Sequence, residues 1–142
     1  MKKVLTAFKK LQKVLGSLKK VYLEVVDKDQ VIIDATIQRF RFTTELFWKF
    51  LQEYFRTKEV YIDYPKDVLK QAYASRIIND EKMWIQIFED KKLIPYTYNE
   101  ELAHQIFKRI QRYVPEIQST VDKIKKELLP EIKLENHEPE GR

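Results

Sequence analysis

The sequence predicts an all-α protein, an up-and-down four-helix-type bundle of about five helices, three long and two short. Three observations predict it. Gly16 and Gly141 are the only glycines in 142 residues, which leaves short, polar connections between helices. Apolar side chains recur at steps of four and three, the spacing of one helix face. Charged residues make up 35% and hydrophobic ones 44%, the balance of a folded globular chain. The length suits a single domain, placed at 1–130, with a polar, frayed tail at 131–142.

The first helix is expected over 3–26, with a seam of Val4, Phe8, Leu11, Leu15, Leu18, Tyr22 and Val25. Gly16 interrupts that seam and weakens it by about 1 kcal/mol relative to alanine. Asp27-Lys28-Asp29-Gln30 reads as the following turn. The second helix has the longest seam: Ile33, Ile37, Phe40, Thr44, Phe47, Leu51 and Tyr54. Phe42, Leu46, Trp48 and Phe55 lie off it, so the apolar surface is wider than one seam requires. Such a helix is either central or faces a second partner, a first hint of an oligomer.

After a link from Thr57 to Tyr64, Pro65 fits the first turn of a short helix that packs Val68, Leu69, Ala72 and Tyr73. Asn79 or Asp80 caps the fourth helix, which packs Met83, Trp84, Ile87 and Phe88. Residues 91–96 form a connection containing Pro95. Thr97-Tyr98-Asn99-Glu100 matches a capping box opening the fifth helix. That helix carries Leu102, Ile106, Ile110, Tyr113, Ile117, Val121, Ile124 and Leu128, and Pro115 should kink or break it. The two short helices together fill one side of the bundle.

Composition removes many function classes. Without cysteine there are no disulfides, thiolate nucleophiles or Cys-type zinc sites. Two histidines, His104 and His137, cannot build a His-rich metal centre, and the glycine shortage excludes P-loops and GxGxxG turns. No cofactor is expected. No apolar run approaches the roughly 20 residues that span a bilayer, so no membrane partner is expected and the reading is cytoplasmic. The net charge of +5 suits an acidic partner but is also ordinary for solubility.

Candidate chemistry is sparse. The first twenty residues hold seven lysines and no acid, which suits nucleic acid or an anionic surface, or simply the solvated face of a core helix. Asp80 with Glu81, and Glu89 with Asp90, are adjacent on helices and do not face one another. His104 reads as a surface residue. Gln38, Phe42, Glu45 and Lys49 share one helix face, which suits either solvent or a groove at a dimer interface.

The run Asp34-Ala35-Thr36-Ile37-Gln38-Arg39-Phe40-Arg41-Phe42-Thr43-Thr44-Glu45-Leu46-Phe47-Trp48-Lys49 resembles a signature of the nucleotidyltransferase substrate-binding proteins, the HepT-like or HEPN-type partners of minimal nucleotidyltransferases. Tyr64 to Ala72, Trp84 to Asp90, Leu93 with Thr97 to Glu101, and Arg112-Tyr113-Val114-Pro115 are similar to later stretches of that family. The likeness runs over about residues 1–128 in consistent order.

The resemblance implies a homodimer or higher oligomer, a small transferase encoded nearby, and nucleotide or RNA as ligands. In some members the bundle is a ribonuclease toxin that its partner silences by adding AMP to a tyrosine. That branch uses an arginine, four residues, a histidine, one residue and the tyrosine. Here the arginine position holds Lys91, the histidine position holds Tyr96, and Tyr98 is retained. Histidine exchanges protons near neutral pH, whereas tyrosine titrates near about 10. Lys91 keeps the charge without the bidentate fork. No catalytic residue is therefore assigned. The expected binding groove comprises Arg39, Glu45, Lys91 and Tyr96, with Tyr98 as the modification site in the first turn of the fifth helix. The leading expectation is a non-catalytic dimeric partner of a minimal nucleotidyltransferase. The alternatives are a ribonuclease toxin silenced at Tyr98, and a helical RNA-binding or scaffold module.

Overall fold

The computed structural model describes residues 2–23 and 29–136. Five α-helices follow in order: α1 Lys2–Leu23, α2 Gln30–Thr57, α3 Pro65–Ala74, α4 Glu81–Leu93 and α5 Glu100–Asn136. A single 3-10 turn, Ile94–Tyr96, joins α4 to α5. The described residues contain no strand, and the all-α expectation of three long and two short helices holds. Val25, Asp27, Lys28 and His137 lie outside the described residues.

α2 is central and packs against α1, α3, α4 and α5. That position uses the wide apolar surface seen in the sequence. Phe40, Phe47, Phe50, Leu51 and Phe55 are fully buried, while Leu46, Trp48 and Tyr54 pack at the edge of the core. Val4, Leu5, Phe8, Leu11, Leu15 and Leu18 of α1 face inward. α3 and α4 pack on each other and on α2, filling one side as expected. The indole of Trp84 is completely buried, stacks on Phe47 at 4.4 Å between ring centroids, and donates to Glu116 of α5 over 3.3 Å.

Helix ends follow local chemistry, with several departures from expectation. Gln30 is helical rather than part of a turn, because Asp29 caps α2 by accepting from the Ile32 N–H at 2.9 Å. Asp80, not Asn79, caps α4 by accepting from the Met83 N–H at 3.0 Å. The capping box at Thr97 does not form. The Thr97 hydroxyl donates back to the Ile94 carbonyl, and Asn99 caps α5 through the Leu102 N–H at 3.0 Å. Lys91 belongs to the last turn of α4 rather than to a connection.

Pro115 does not break α5. Its missing hydrogen bond costs about 3 kcal/mol, but Tyr113, Val114, Ile117 and Val121 are buried on either side of it and hold the helix to the bundle. α5 also continues through Pro130 to Asn136, past the expected start of the tail. Two helices terminate without glycine. Glu59 (φ 60°) and Arg76 (φ 61°) take the left-handed position after α2 and α3. The Val60 N–H then reaches the Phe55 carbonyl, and the Ile77 N–H reaches Ala72, both at 2.9 Å, the paired bonds of a Schellman end.

Candidate functional site

The last turn of α4 and the turn after it carry most of the expected site residues, and α2 faces them. Lys91 extends from α4 to α2 and forms an ion pair with Glu45. Glu45 also pairs with Lys49 one helical turn onward, at 3.3 Å. Burial alone would raise the Glu45 pKa, but the hydrogen bond and charge of Lys91, with help from Lys49 and Trp48, outweigh it and hold the carboxyl below its ordinary value. The Trp48 indole N–H is close enough to favour this carboxylate, yet no acceptor meets it in hydrogen-bonding geometry. Lys91 also lies 5.9 Å from the Phe88 ring centroid. Among the described residues, its ammonium is thus occupied by a carboxylate and an aromatic face.

The other expected residues are distributed differently. Tyr98 is 85% exposed and stands just outside α5, next to its cap, rather than within its first turn. It lines an open groove of about 540 Å³ with Asp34, Gln38 and Arg41 of α2, floored by Ile37, Ile94 and Pro95. Arg41 Nε donates to Gln38 at 3.3 Å, and its guanidinium covers the Phe42 ring at 4.8 Å. Tyr96 is 56% exposed, and its hydroxyl has no hydrogen-bond partner among the described residues. Arg39 is exposed and lines neither this groove nor the Glu45–Lys91 pair. One residue of offset turns it about 100° away from Gln38 around the helix. Glu45 and Lys91 therefore come together, Tyr98 lies in a neighbouring groove, and Arg39 stands apart. His104 is exposed on α5 and outside both.

Sequence reasoning missed the polar centre beside this region. Asp90 is only 4% exposed and accepts a bidentate pair of bonds from Arg109, at 2.7 and 2.9 Å. The buried Tyr113 hydroxyl donates to the same carboxylate at 2.5 Å. Burial, then this bond and the carboxylate's charge, push the Tyr113 phenol well above its ordinary value. The bonds that Arg109 donates to Asp90 likewise raise the Arg109 pKa. The available signal was the step of three from Trp84 to Ile87 to Asp90, which puts the carboxylate on the inward face. Both carboxylate oxygens of Asp90 and the Tyr113 hydroxyl are matched by geometry, so the cluster reads as a clamp between α4 and α5.

Among the described residues no group of three or more metal-ligating side chains is present. No helix among them is long and apolar enough to cross a membrane.

Residues 5–126 match the family profile described as nucleotidyltransferase substrate binding protein like. The chain belongs to this family. No curated protein is similar enough to count as a match. Among solved structures, the chain is similar to a Thermus thermophilus protein, with a TM-score of 0.74 and 34% identity over 80% of this chain and 97% of that one. It is also similar in fold to HI0074 from Haemophilus influenzae, at a TM-score of 0.75 and 19% identity, covering 83% of this chain and 98% of that one. That structure is described as revealing the fold of a substrate binding domain of a nucleotidyltransferase. Membership thus rests on the family profile, and the two solved structures add the fold.

Proposed function

We propose that this chain is a non-catalytic, dimeric binding partner of a minimal nucleotidyltransferase encoded nearby, acting in the cytoplasm. Family membership supports the transferase. The observation that carries the non-catalytic part is the state of the two positions that resemble the ribonuclease pair. Lys91 is ion-paired with Glu45, and Tyr96 is exposed without a hydrogen-bond partner among the described residues. Neither position holds the histidine that suits proton exchange near neutral pH. The half-buried Phe42 of α2 offers apolar surface for a second copy.

The test is a ribonuclease assay on the pure protein, with and without the transferase, beside size-exclusion chromatography with light scattering. No cleavage, a dimer alone and a defined complex with the transferase are expected. Cleavage that disappears with Lys91→Ala would overturn the reading.

A second reading, favoured by the exposure of Tyr98, makes the chain a substrate of that transferase. The phenolic oxygen would bond to the α-phosphorus of ATP, pyrophosphate would leave, and the phenolic proton would pass to solvent. Incubation with the transferase and ATP should add the mass of one AMP moiety to the peptide bearing Tyr98. An unmodified peptide excludes this reading and leaves the first intact.

A further inference from the structure

We propose that the outer face of α1, with the groove between α1 and α2, binds the phosphate backbone of double-stranded RNA without reading its sequence. The charge of the protein is unevenly placed. α1 carries seven lysines and no acid, so the whole net charge of +5 originates there and the rest of the chain sums to −2. The apolar face of α1 is already buried against the bundle. Its lysines are therefore left on the outside, and the helix has no free apolar face with which to enter a lipid surface.

Lys2, Lys3 and Lys10 meet Lys49 of α2 around an open groove of about 710 Å³. Glu53 is the single acid lining it, and Arg56 holds that carboxylate at 3.2 Å. Among the described residues Lys2, Lys3, Lys10 and Lys13 make no ion pair, and all four are exposed. The first turn of α1 holds Lys2 and Lys3 and no acid, against the preference of the helix dipole. A sequence that ignores a local stability rule at one face points to use of that face.

The dimensions select the ligand class. From Lys2 to Lys20 the charges extend over about 27 Å of helix. A single nucleotide cannot engage such a row, whereas a polyphosphate backbone can. The cations are lysines, which act as point charges on phosphate rather than as forks that select a base edge. The aromatic Phe8 is buried, so this stretch offers no platform on which the bases of a single strand would stack. These features favour a duplex, whether or not the chain also binds a transferase.

Fluorescence anisotropy with a labelled RNA duplex of about two helical turns tests the proposal. The variant is K2E/K3E/K10E/K13E. Its control, K66E/K70E/K125E/K126E, changes net charge equally on other helices. Glutamates in the first turn of α1 suit the helix dipole, so the variant should stay folded, which circular dichroism verifies. Wild type and control should bind, with log affinity falling linearly against log salt. The α1 variant should lose more than tenfold in affinity, and its salt slope should drop by about 0.9 for each phosphate it no longer neutralises. No duplex binding by wild type at low salt overturns the proposal. So does an equal loss in both variants, which would reflect net charge alone. Tighter binding to single strands than to the duplex also overturns it. So does an α1 variant that binds duplex normally but no longer binds the transferase, which would make α1 a protein interface.

Discussion

Asp90 and Lys91 are consecutive residues in the last turn of α4, yet they belong to two different kinds of structure. Asp90 turns inward to α5, where its buried carboxylate meets a guanidinium and a phenol. Lys91 turns toward α2 and shares Glu45 with Lys49 near solvent. About 100° of helical rotation separates the two roles. On the buried side both carboxylate oxygens are engaged by groups of α5, so the cluster fixes the end of the helix. The half-buried side has weaker, exchangeable pairs, so a ligand or partner can compete for them. The same ionic chemistry thus fastens or receives according to its access to water.

The largest expected effect comes from breaking the buried side. Asp90→Ala should destabilise the fold by about 3–5 kcal/mol, because Arg109 and Tyr113 lose their buried acceptor. Urea unfolding followed by circular dichroism measures it. A loss under about 1 kcal/mol would mean that water replaces the carboxylate and that the clamp is not a buried one.

Tyr113→Phe should cost less, about 1–1.5 kcal/mol near neutral pH, since the ring remains and one hydrogen bond is lost. Its pH dependence sharpens the contrast. Tyr113 is held above its ordinary value of 10.0, so its contribution is complete below pH 10 and declines as pH rises beyond that, where only the unfolded chain ionises. Tyr54 acts in the same direction, because burial and its bond to Glu127 push it up to about 12. Thermal melts above pH 10 should fall less steeply for Tyr113→Phe, and less again for the variant that also carries Tyr54→Phe.

On the half-buried side, Lys91→Ala should change stability by no more than about 1 kcal/mol, since the pair is partly solvated. The Glu45 carboxyl lies below its ordinary value, so its small contribution is present above pH 4.5 and fades as pH falls below it. Acid titration of wild type against Lys91→Ala should show the acid limb flatten in the variant. A loss in Lys91→Ala as large as that in Asp90→Ala would erase the distinction between the two sides.

The smallest stability effect belongs to Tyr98→Phe. With the side chain 85% exposed, the melting temperature should be unchanged within error. The variant should nevertheless abolish any nucleotidyl transfer to that peptide, as intact-protein mass spectrometry would show.

Which parts of this were legible in advance follows from the range of the interactions. The seams of α1, α2 and α5 were readable because helix periodicity is local, and Val4 to Leu18 and Ile33 to Leu51 are buried as spaced. The chain by itself determined the helical class, the core stripes, the placement of its cationic charge on α1, and the departures at Lys91 and Tyr96. Caps were less certain, because Thr97, Asn99, Asn79 and Asp80 all offer acceptors and only the final path of the backbone chooses among them. Pro115 left the choice open for a related reason: local chemistry favours a kink or a break, and burial of the flanking side chains keeps the helix continuous. Tertiary structure alone decided that Asp90 would meet Arg109 and Tyr113, that Lys91 would reach Glu45, and that Tyr98 would share a groove with Arg41. Those contacts join residues many positions apart, and their partners are set by how whole helices dock, which no local spacing encodes.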